Sequence, residues 1–374
     1  MAGQIRQPID IPSFERYLNQ HVPSIQTPLE IKQFGYGQSN PTYLLASPNG
    51  NKYVMRKKPP GKLLSKTAHK VEREYRILHA LGNTDVPVPK TYCLCEDEAI
   101  IGTPFYIMSF LDGRIFEDPS LPDVSPEDRY AMWKSAVETL AKFHRVKPSS
   151  VGLESFGKPA GFYNRQLATF QTISEAQAKA VDVDTKEPVG KIPHYDDMVA
   201  FFRDPATQPK DRSTFVHGDY KIDNVVFDKK GTNVIGILDW EMSTIGHPLS
   251  DLANLLTPFT TASSDKARSI GRGSEAFLPG KTQGLPTKQE CLQWYADVAG
   301  WSYPKQETTW GDAFGIYRGS IIMQGIAARF AQRQASSERA GEYAAQMKPF
   351  AEVGWDLVEA CKRQIGEAGG KPKL

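Results

Sequence analysis

Cysteine is scarce, with four in 374 residues: Cys93, Cys95, Cys291 and Cys361. They are too few and too scattered for a disulfide framework. The single residue between Cys93 and Cys95 is not the two-residue spacer of zinc or redox pairs. Alternate positions on a strand account for that pair, and a reducing compartment fits the set. Long apolar runs are missing as well. The longest uncharged, apolar-rich stretch, 99–111, is 13 residues and contains Pro104, whereas a membrane-spanning helix needs about 20. The first residues (MAGQIRQPIDIPSF) hold no apolar h-region, so no secretory signal is expected. Nor is there an excess of one charge. Forty-five Lys and Arg against 43 Asp and Glu leave a net +2, which gives no reason to expect nucleic acid or a membrane surface as a partner. No internal repeat of the solenoid kind is visible.

What remains is the composition of a folded chain, 40% apolar and 24% charged, long enough for one large domain or two small ones. Residues 29–57 read as strands broken by a Pro-Asn-Gly-Asn turn at 48–51. Residues 67–81 read as a helix with Val71, Tyr75, Leu78 and Leu81 on one stripe, stopped by Gly82-Asn83. Residues 86–111 return to Pro-bounded, β-branched and aromatic strands. This is a small α+β unit ending in a lobe boundary at 109–113. After it the pattern turns helical. Ser125 is an N-cap with Pro126 at the first helical position and acids in the first turn, opening a helix with Trp133, Val137, Leu140 and Phe143 or His144 on one face. Further helices are expected at 288–299, 311–335 and 341–366, with a strand–turn–strand segment at 214–240. The division expected is therefore 1–112 and 113–374.

The sharpest chemical signal lies at 215–227 (FVHGDYKIDNVVF), followed by ILDWE at 237–241. Asp219 has Lys221 two residues on and Asn224 five on. An apolar strand, a polar turn and a second apolar strand then present Asp239, fifteen residues past Asn224. Phosphoryl transfer needs such a set. One carboxylate faces an acceptor hydroxyl as base, while an amide oxygen and a second carboxylate hold Mg²⁺ against phosphates. A tight hairpin would keep the two metal ligands close despite their separation.

Residues 217–228 (HGDYKIDNVVFD) and 234–256 (VIGILDWEMSTIGHPLSDLANLL) resemble the aminoglycoside phosphotransferase and choline kinase family, which is similar in fold to protein kinases. The resemblance extends from about residue 29 to about residue 335. Residues 87–122 and 53–64 (YVMRKKPPGKLL) look more specifically like the phosphotransferase domain fused to some long acyl-CoA dehydrogenases. It implies a two-lobed α+β, protein-kinase-like fold with a β-rich N-lobe and a mainly helical C-lobe. It also implies ATP and Mg²⁺ as cofactors and a small-molecule hydroxyl as acceptor. Asp219 would be the catalytic base, Lys221 a cation near the transferred group, and Asn224 and Asp239 the Mg²⁺ ligands. His217 would brace the loop, and Asp251 would stand behind the metal site or cap a helix.

In the small lobe, Gly35, Gly37, Ser39 and Asn40 fall where kinases lay a glycine-rich loop over the nucleotide. Glu74 lies in the apolar stripe of its helix and wants a cation. The matching place on the preceding strand holds Arg56 rather than lysine, and strand alternation turns Lys57 to the other face. A solvated basic run at 56–58 is the alternative. Met108, Ser109 and Phe110 would form the hinge whose backbone meets adenine. Tyr163 with Arg165, and Tyr317 with Arg318, read either as an acceptor cleft or as helix packing and surface charge. The function expected is phosphorylation of an acceptor hydroxyl, on a hydroxyacyl-CoA or hydroxy acid, with an aminoglycoside or choline-type acceptor and a catalytically inactive binding protein as alternatives. The final Pro372-Lys373-Leu374 is one residue from a Ser-Lys-Leu peroxisomal address, so the location expected is cytoplasmic, or peroxisomal if that tail is read.

Overall fold

The computed structural model describes residues 2–35, 40–59, 70–335 and 337–369. In chain order it runs through β1 (Ala2–Gly3), α1 (Ile11–His21), β2 (Glu30–Phe34), β3 (Thr42–Ala46), β4 (Lys52–Lys57), α2 (Val71–Leu81), β5 (Thr91–Cys95), α3 (Glu98–Ile101), β6 (Phe105–Ser109) and β7 (Gly113–Arg114). There follow α4 (Pro126–Arg145), α5 (Phe162–Ala178), α6 (Tyr195–Arg203), β8 (Thr214–Val216), β9 (Val225–Asp228), β10 (Val234–Ile237) and β11 (Thr244–Gly246). The chain continues with α7 (Leu249–Ala262), α8 (Asp265–Ser269), α9 (Lys288–Ala299), α10 (Lys305–Ala331) and α11 (Ala340–Gly369). Two compact units emerge from its contacts. The smaller takes Met1–Ile115, Pro148–Glu154 and Asn224–Ser243. The larger takes Phe116–Lys147, Ser155–Asp223 and the residues from Thr244 onward.

The smaller unit is built on a six-stranded sheet of order β1-β2-β3-β4-β6-β5, antiparallel throughout. Its central strand β4 is buried from Tyr53 to Lys57 because both faces are covered. On one face Tyr53 and Met55 join Tyr43, Leu45, Phe105 and Ile107 in a core closed by Phe14 and Leu18 of α1. That helix starts where Asp10 accepts a hydrogen bond from the Ser13 amide at 3.0 Å, with a proline in its first turn. On the other face Arg56 stands opposite Thr42 on one side and Tyr106 on the other, and α2 packs against β5 and β6 there. Lys57 is buried on the face away from Arg56, where burial lowers its pKa. The same unit holds a second sheet, β10-β9-β7. Glycine at 113 permits it, since a Cβ there would lie 2.3 Å from the Phe227 carbonyl oxygen.

The larger unit is helical around one aromatic core, in which Trp310, Phe314 and Tyr317 of α10 meet Phe162 and Tyr163 of α5 and Phe202 of α6. Ser125 caps α4 as its sequence predicts, accepting from the Asp128 amide at 3.2 Å. Helix α9 spans the expected residues, while α10 begins six residues before the expected start and ends at Ala331. Its first turn, KQETTW, is too polar to extend the apolar stripe. Strand β8 pairs with β11, Phe215 opposite Ile245, and forms no hairpin with the strands that follow it. Among the described residues, no helix is long and apolar enough to cross a membrane.

Candidate active site

In the smaller unit, the register of β4 and β6 pairs Arg56 with Tyr106, Asn40 stands just before β3, and Glu74 of α2 meets all three. Glu74 is 1% exposed. Its Oε2 lies 2.7 Å from Arg56 Nη1 and accepts from the Tyr106 hydroxyl at 2.9 Å, and its Oε1 accepts from Asn40 Nδ2 at 2.7 Å. Burial raises the Glu74 pKa, and Arg56, Tyr106 and Asn40 pull it back. Burial also works against the charge on Arg56, but Glu74 overrides it and holds the guanidinium above its ordinary value. The solvated basic run is thus excluded for Arg56. The other arm of the fork, Nη2, lies 3.7 Å from Asp239 Oδ1. Arg56 Nε is buried without a partner.

Asn224 and Asp239 are brought together by the β9–β10 hairpin, in which Val225 is opposite Ile237. The Leu238 amide donates to the Asn224 carbonyl at 2.8 Å, so Asp239 follows directly on the residue bound to Asn224. Asp239 takes a left-handed backbone (φ +63°, ψ +58°), which aspartate tolerates better than most side chains. The next turn, Trp240–Met242, is tied to α2, where Arg73 Nη2 donates to the Ser243 carbonyl at 3.0 Å. Glu241, two residues past Asp239, also acts electrostatically on Arg56 and Glu74. The sequence reading missed it, although its signal was the acidic pair in Asp239-Trp240-Glu241. Carboxylate and amide oxygens are the donors that suit Mg²⁺. Among the described residues no three His, Cys, Asp or Glu side chains converge as a metal nest.

The larger unit carries Asp219 on a loop fixed from several sides. Gly218 needs its left-handed backbone (φ +88°). The Asp251 carboxylate, 1% exposed at the start of α7, accepts from the His217 amide at 2.6 Å and the Gly218 amide at 2.9 Å. Burial pushes the Asp251 pKa up, but His144, 3.3 Å away, and His217 hold it below its ordinary value. Asp251 lies in the first turn of α7, whose start has no side-chain cap, so its carboxylate clamps the loop and does not cap the helix. His217 Nδ1 accepts from the Asp219 amide at 3.3 Å. Lys221 Nζ lies 3.0 Å from Asp223 and 3.7 Å from Asp219. Asn254, one turn beyond Asp251, donates to Asp219 Oδ1 at 3.5 Å and to the Tyr220 carbonyl at 3.1 Å. Its spacing of three from Asp251 on one helix was the signal for it.

Other expected positions have other roles. Arg318 donates to the Gly218 carbonyl at 2.7 Å, and Arg165 to the Ala160 and Lys158 carbonyls. Tyr163 and Tyr317 are core residues, so packing accounts for these four better than an acceptor cleft does. Met108 is buried in β6. The amides of Ser109 and Phe110 donate to the carbonyls of Lys90 at 2.8 Å and Lys52 at 3.3 Å, so both point into the sheet. A Cβ at Gly35 would meet nothing within 4 Å, and Asn40 is turned to Glu74. Gly37, Ser39 and the 372–374 tail lie outside the described residues.

A family model described as the phosphotransferase enzyme family matches residues 30–285. Acyl-CoA dehydrogenase family member 11 of Rattus norvegicus is 37% identical over 352 residues, 93% of this chain and 43% of that protein. The chain thus spans less than half the length of that curated relative. A solved structure from Ralstonia eutropha, provisionally classed as an aminoglycoside phosphotransferase, is 34% identical with a TM-score of 0.80, covering 94% of this chain and 99% of the other. APH(2″)-IIa, solved as a ternary complex with streptomycin and ATP, shares the fold at a TM-score of 0.55 and 16% identity, over 85% of this chain and 91% of its own. The chain therefore belongs to the phosphotransferase enzyme family and carries its kinase-like fold, a small antiparallel sheet lobe with a helical lobe.

Proposed function

We propose that this protein transfers the γ-phosphoryl group of ATP to a hydroxyl of a small acceptor. The observation that carries the reading is the β9–β10 hairpin, which sets Asn224 and Asp239 side by side although fifteen residues separate them. In this reading Asp219 takes the proton of the acceptor hydroxyl as its oxygen bonds to phosphorus. The bond from that phosphorus to the β,γ-bridging oxygen breaks, and ADP departs with the bonding pair. Lys221, beside Asp219, adds positive charge where the transferred group gains negative charge. Arg56, anchored by Glu74, turns its second arm toward the phosphates. Asn224 and Asp239 would hold Mg²⁺, which when bound would neutralise phosphate charge.

The acceptor proposed is a hydroxylated acyl-CoA or a related hydroxy acid. The likeness to the acyl-CoA dehydrogenase family member, confined to this chain's share of it, supports that choice. The likeness to the Ralstonia structure favours an aminoglycoside as the second reading. The experiment is an ATP-consumption screen over 4-hydroxyacyl-CoA, free hydroxy acids, choline, ethanolamine and aminoglycosides, with mass spectrometry of each acceptor. A phosphate mass gain on the thioester or hydroxy acid is the expected outcome. Transfer to an aminoglycoside or choline alone moves the protein to the second reading. No transfer to any acceptor favours the catalytically inactive alternative.

A further inference from the structure

We propose that a cavity between α9 and α10 binds a small anion, a carboxylate or a phosphate ester, and that its occupancy is transmitted to the loop bearing Asp219 through Tyr295 and His144. The cavity is about 460 Å³, within the usual range for small-molecule sites. Its charged lining is Lys288, Lys305 and Asp312, two cations to one anion. Lys288 is ion-paired with Asp312 and donates to Thr260 Oγ1 at 2.9 Å. Lys305, exposed on the first turn of α10, has no carboxylate partner among the described residues. A surplus cation at one side and an apolar floor of Leu292 and Ala296 at the other fit an anionic head on a short aliphatic body.

Tyr295 belongs to the wall of this cavity and also begins a buried hydrogen-bonded chain. Its hydroxyl lies 2.7 Å from His144 Nδ1. His144 Nε2 lies 3.3 Å from Asp251 Oδ2, and Asp251 accepts from the His217 and Gly218 amides at 2.6 and 2.9 Å. Tyr295, His144, Asp251 and His217 are each 2% exposed or less, so water does not substitute along the chain. Burial pushes the Tyr295 phenol well above its ordinary value, and it stays a hydroxyl. The His144 ring bridges the two, Nδ1 facing the Tyr295 hydroxyl and Nε2 facing the Asp251 carboxylate. Where such a network couples two sites, the coupling is reciprocal.

The inference rests on the proposed function only for what a change in the loop means. Hydrogen exchange reads the loop without turnover, so the two readings can fail separately. The full chain is exposed to inorganic phosphate and, separately, to butyrate. Exchange is followed by mass spectrometry in the wild type, Lys305→Ala, Ala296→Leu and Tyr295→Phe. Either probe is expected to slow exchange at 292–303 and at 216–219 by roughly tenfold in the wild type. Protection by phosphate alone assigns a phosphate ester, and by butyrate alone a carboxylate. Lys305→Ala, a surface change, and Ala296→Leu, which fills the cavity, should each abolish both effects. Tyr295→Phe should keep the first and lose the second. If that variant does not fold, His144→Asn is read in its place, with the cavity response kept and the loop response lost. The proposal is overturned if neither probe protects 292–303, if protection is undiminished in Lys305→Ala, or if a folded Tyr295→Phe still passes the change to 216–219.

Discussion

Arg56 stands where the kinase pattern has lysine, and its planar fork changes what that position can hold. Two terminal nitrogens reach two carboxylates at once, Glu74 at 2.7 Å and Asp239 at 3.7 Å, which a single ammonium cannot do with fixed geometry. Removing one partner of a buried pair leaves the other charge uncompensated, at about 3–5 kcal/mol. Arg56→Ala and Glu74→Ala should therefore be strongly non-additive in the ATP concentration needed for half-maximal rate and in unfolding free energy. Additive effects in the double-mutant cycle would contradict the pairing. Asp239→Asn should keep the fold, since asparagine tolerates the same left-handed backbone, and should weaken nucleotide binding only when Mg²⁺ is present. Calorimetric titration with and without Mg²⁺ checks this, and equal affinities with Mg²⁺ would remove Asp239 from the metal site. The sequence alone carried the residue types at 56, 74, 219, 224 and 239. It did not carry Tyr106 or Asn40 as partners of Glu74, because Tyr106 is paired with Arg56, and Asn40 brought to Glu74, by contacts between segments distant in the chain.

Helix α7 shows the same limit one scale up. Asp251 and Asn254, one turn apart, clamp and orient the 217–220 loop, while His247 sits just before the helix. His247 is buried, its Nε2 lying 3.1 Å from the Lys210 carbonyl and its Nδ1 accepting from the Leu249 amide at 3.2 Å. Burial lowers its pKa from 6.5 to about 4. The unfolded chain therefore takes up this proton near pH 6.5, while the folded one does so only near pH 4. The contribution is complete above pH 6.5 and drains away as the pH falls toward 4, on the order of 3 kcal/mol in all. His247→Asn, which cannot titrate there, should show a shallower loss of Tm between pH 7 and pH 4 in calorimetry. An unchanged slope would exclude His247 as a source of acid sensitivity. Among elements, those with a strong stripe or a clear cap, α2, α4 and α9, were legible. Helix α1 was not, because its apolar residues are read only against the surface they cover, and the start of α10 was not, because KQETTW is too polar to extend a stripe. Helix α3 was hidden in what reads as a strand run, although Asp97 caps its start and Gly102 its end.

At the scale of the whole molecule, membership of the phosphotransferase family and the kinase-like fold agree with the motif order along the chain: basic strand, acidic helix, His-Gly-Asp loop, then Asp at the hairpin end. The acceptor was the least legible feature. The residues that suggested a cleft are packed in the core or hold carbonyls, and acceptor specificity depends on surfaces rather than on a short motif. The central claim is phosphoryl transfer with Asp219 as the base. The most direct measurement is the rate at which the γ-phosphoryl of labelled ATP appears on 4-hydroxyacyl-CoA, compared between wild type and Asp219→Asn with nucleotide binding followed in parallel. The account predicts a labelled thioester from the wild type, a rate lowered by roughly 10²- to 10⁴-fold in Asp219→Asn, and ATP binding that survives the change. A variant that transfers the label at nearly the wild-type rate would contradict it.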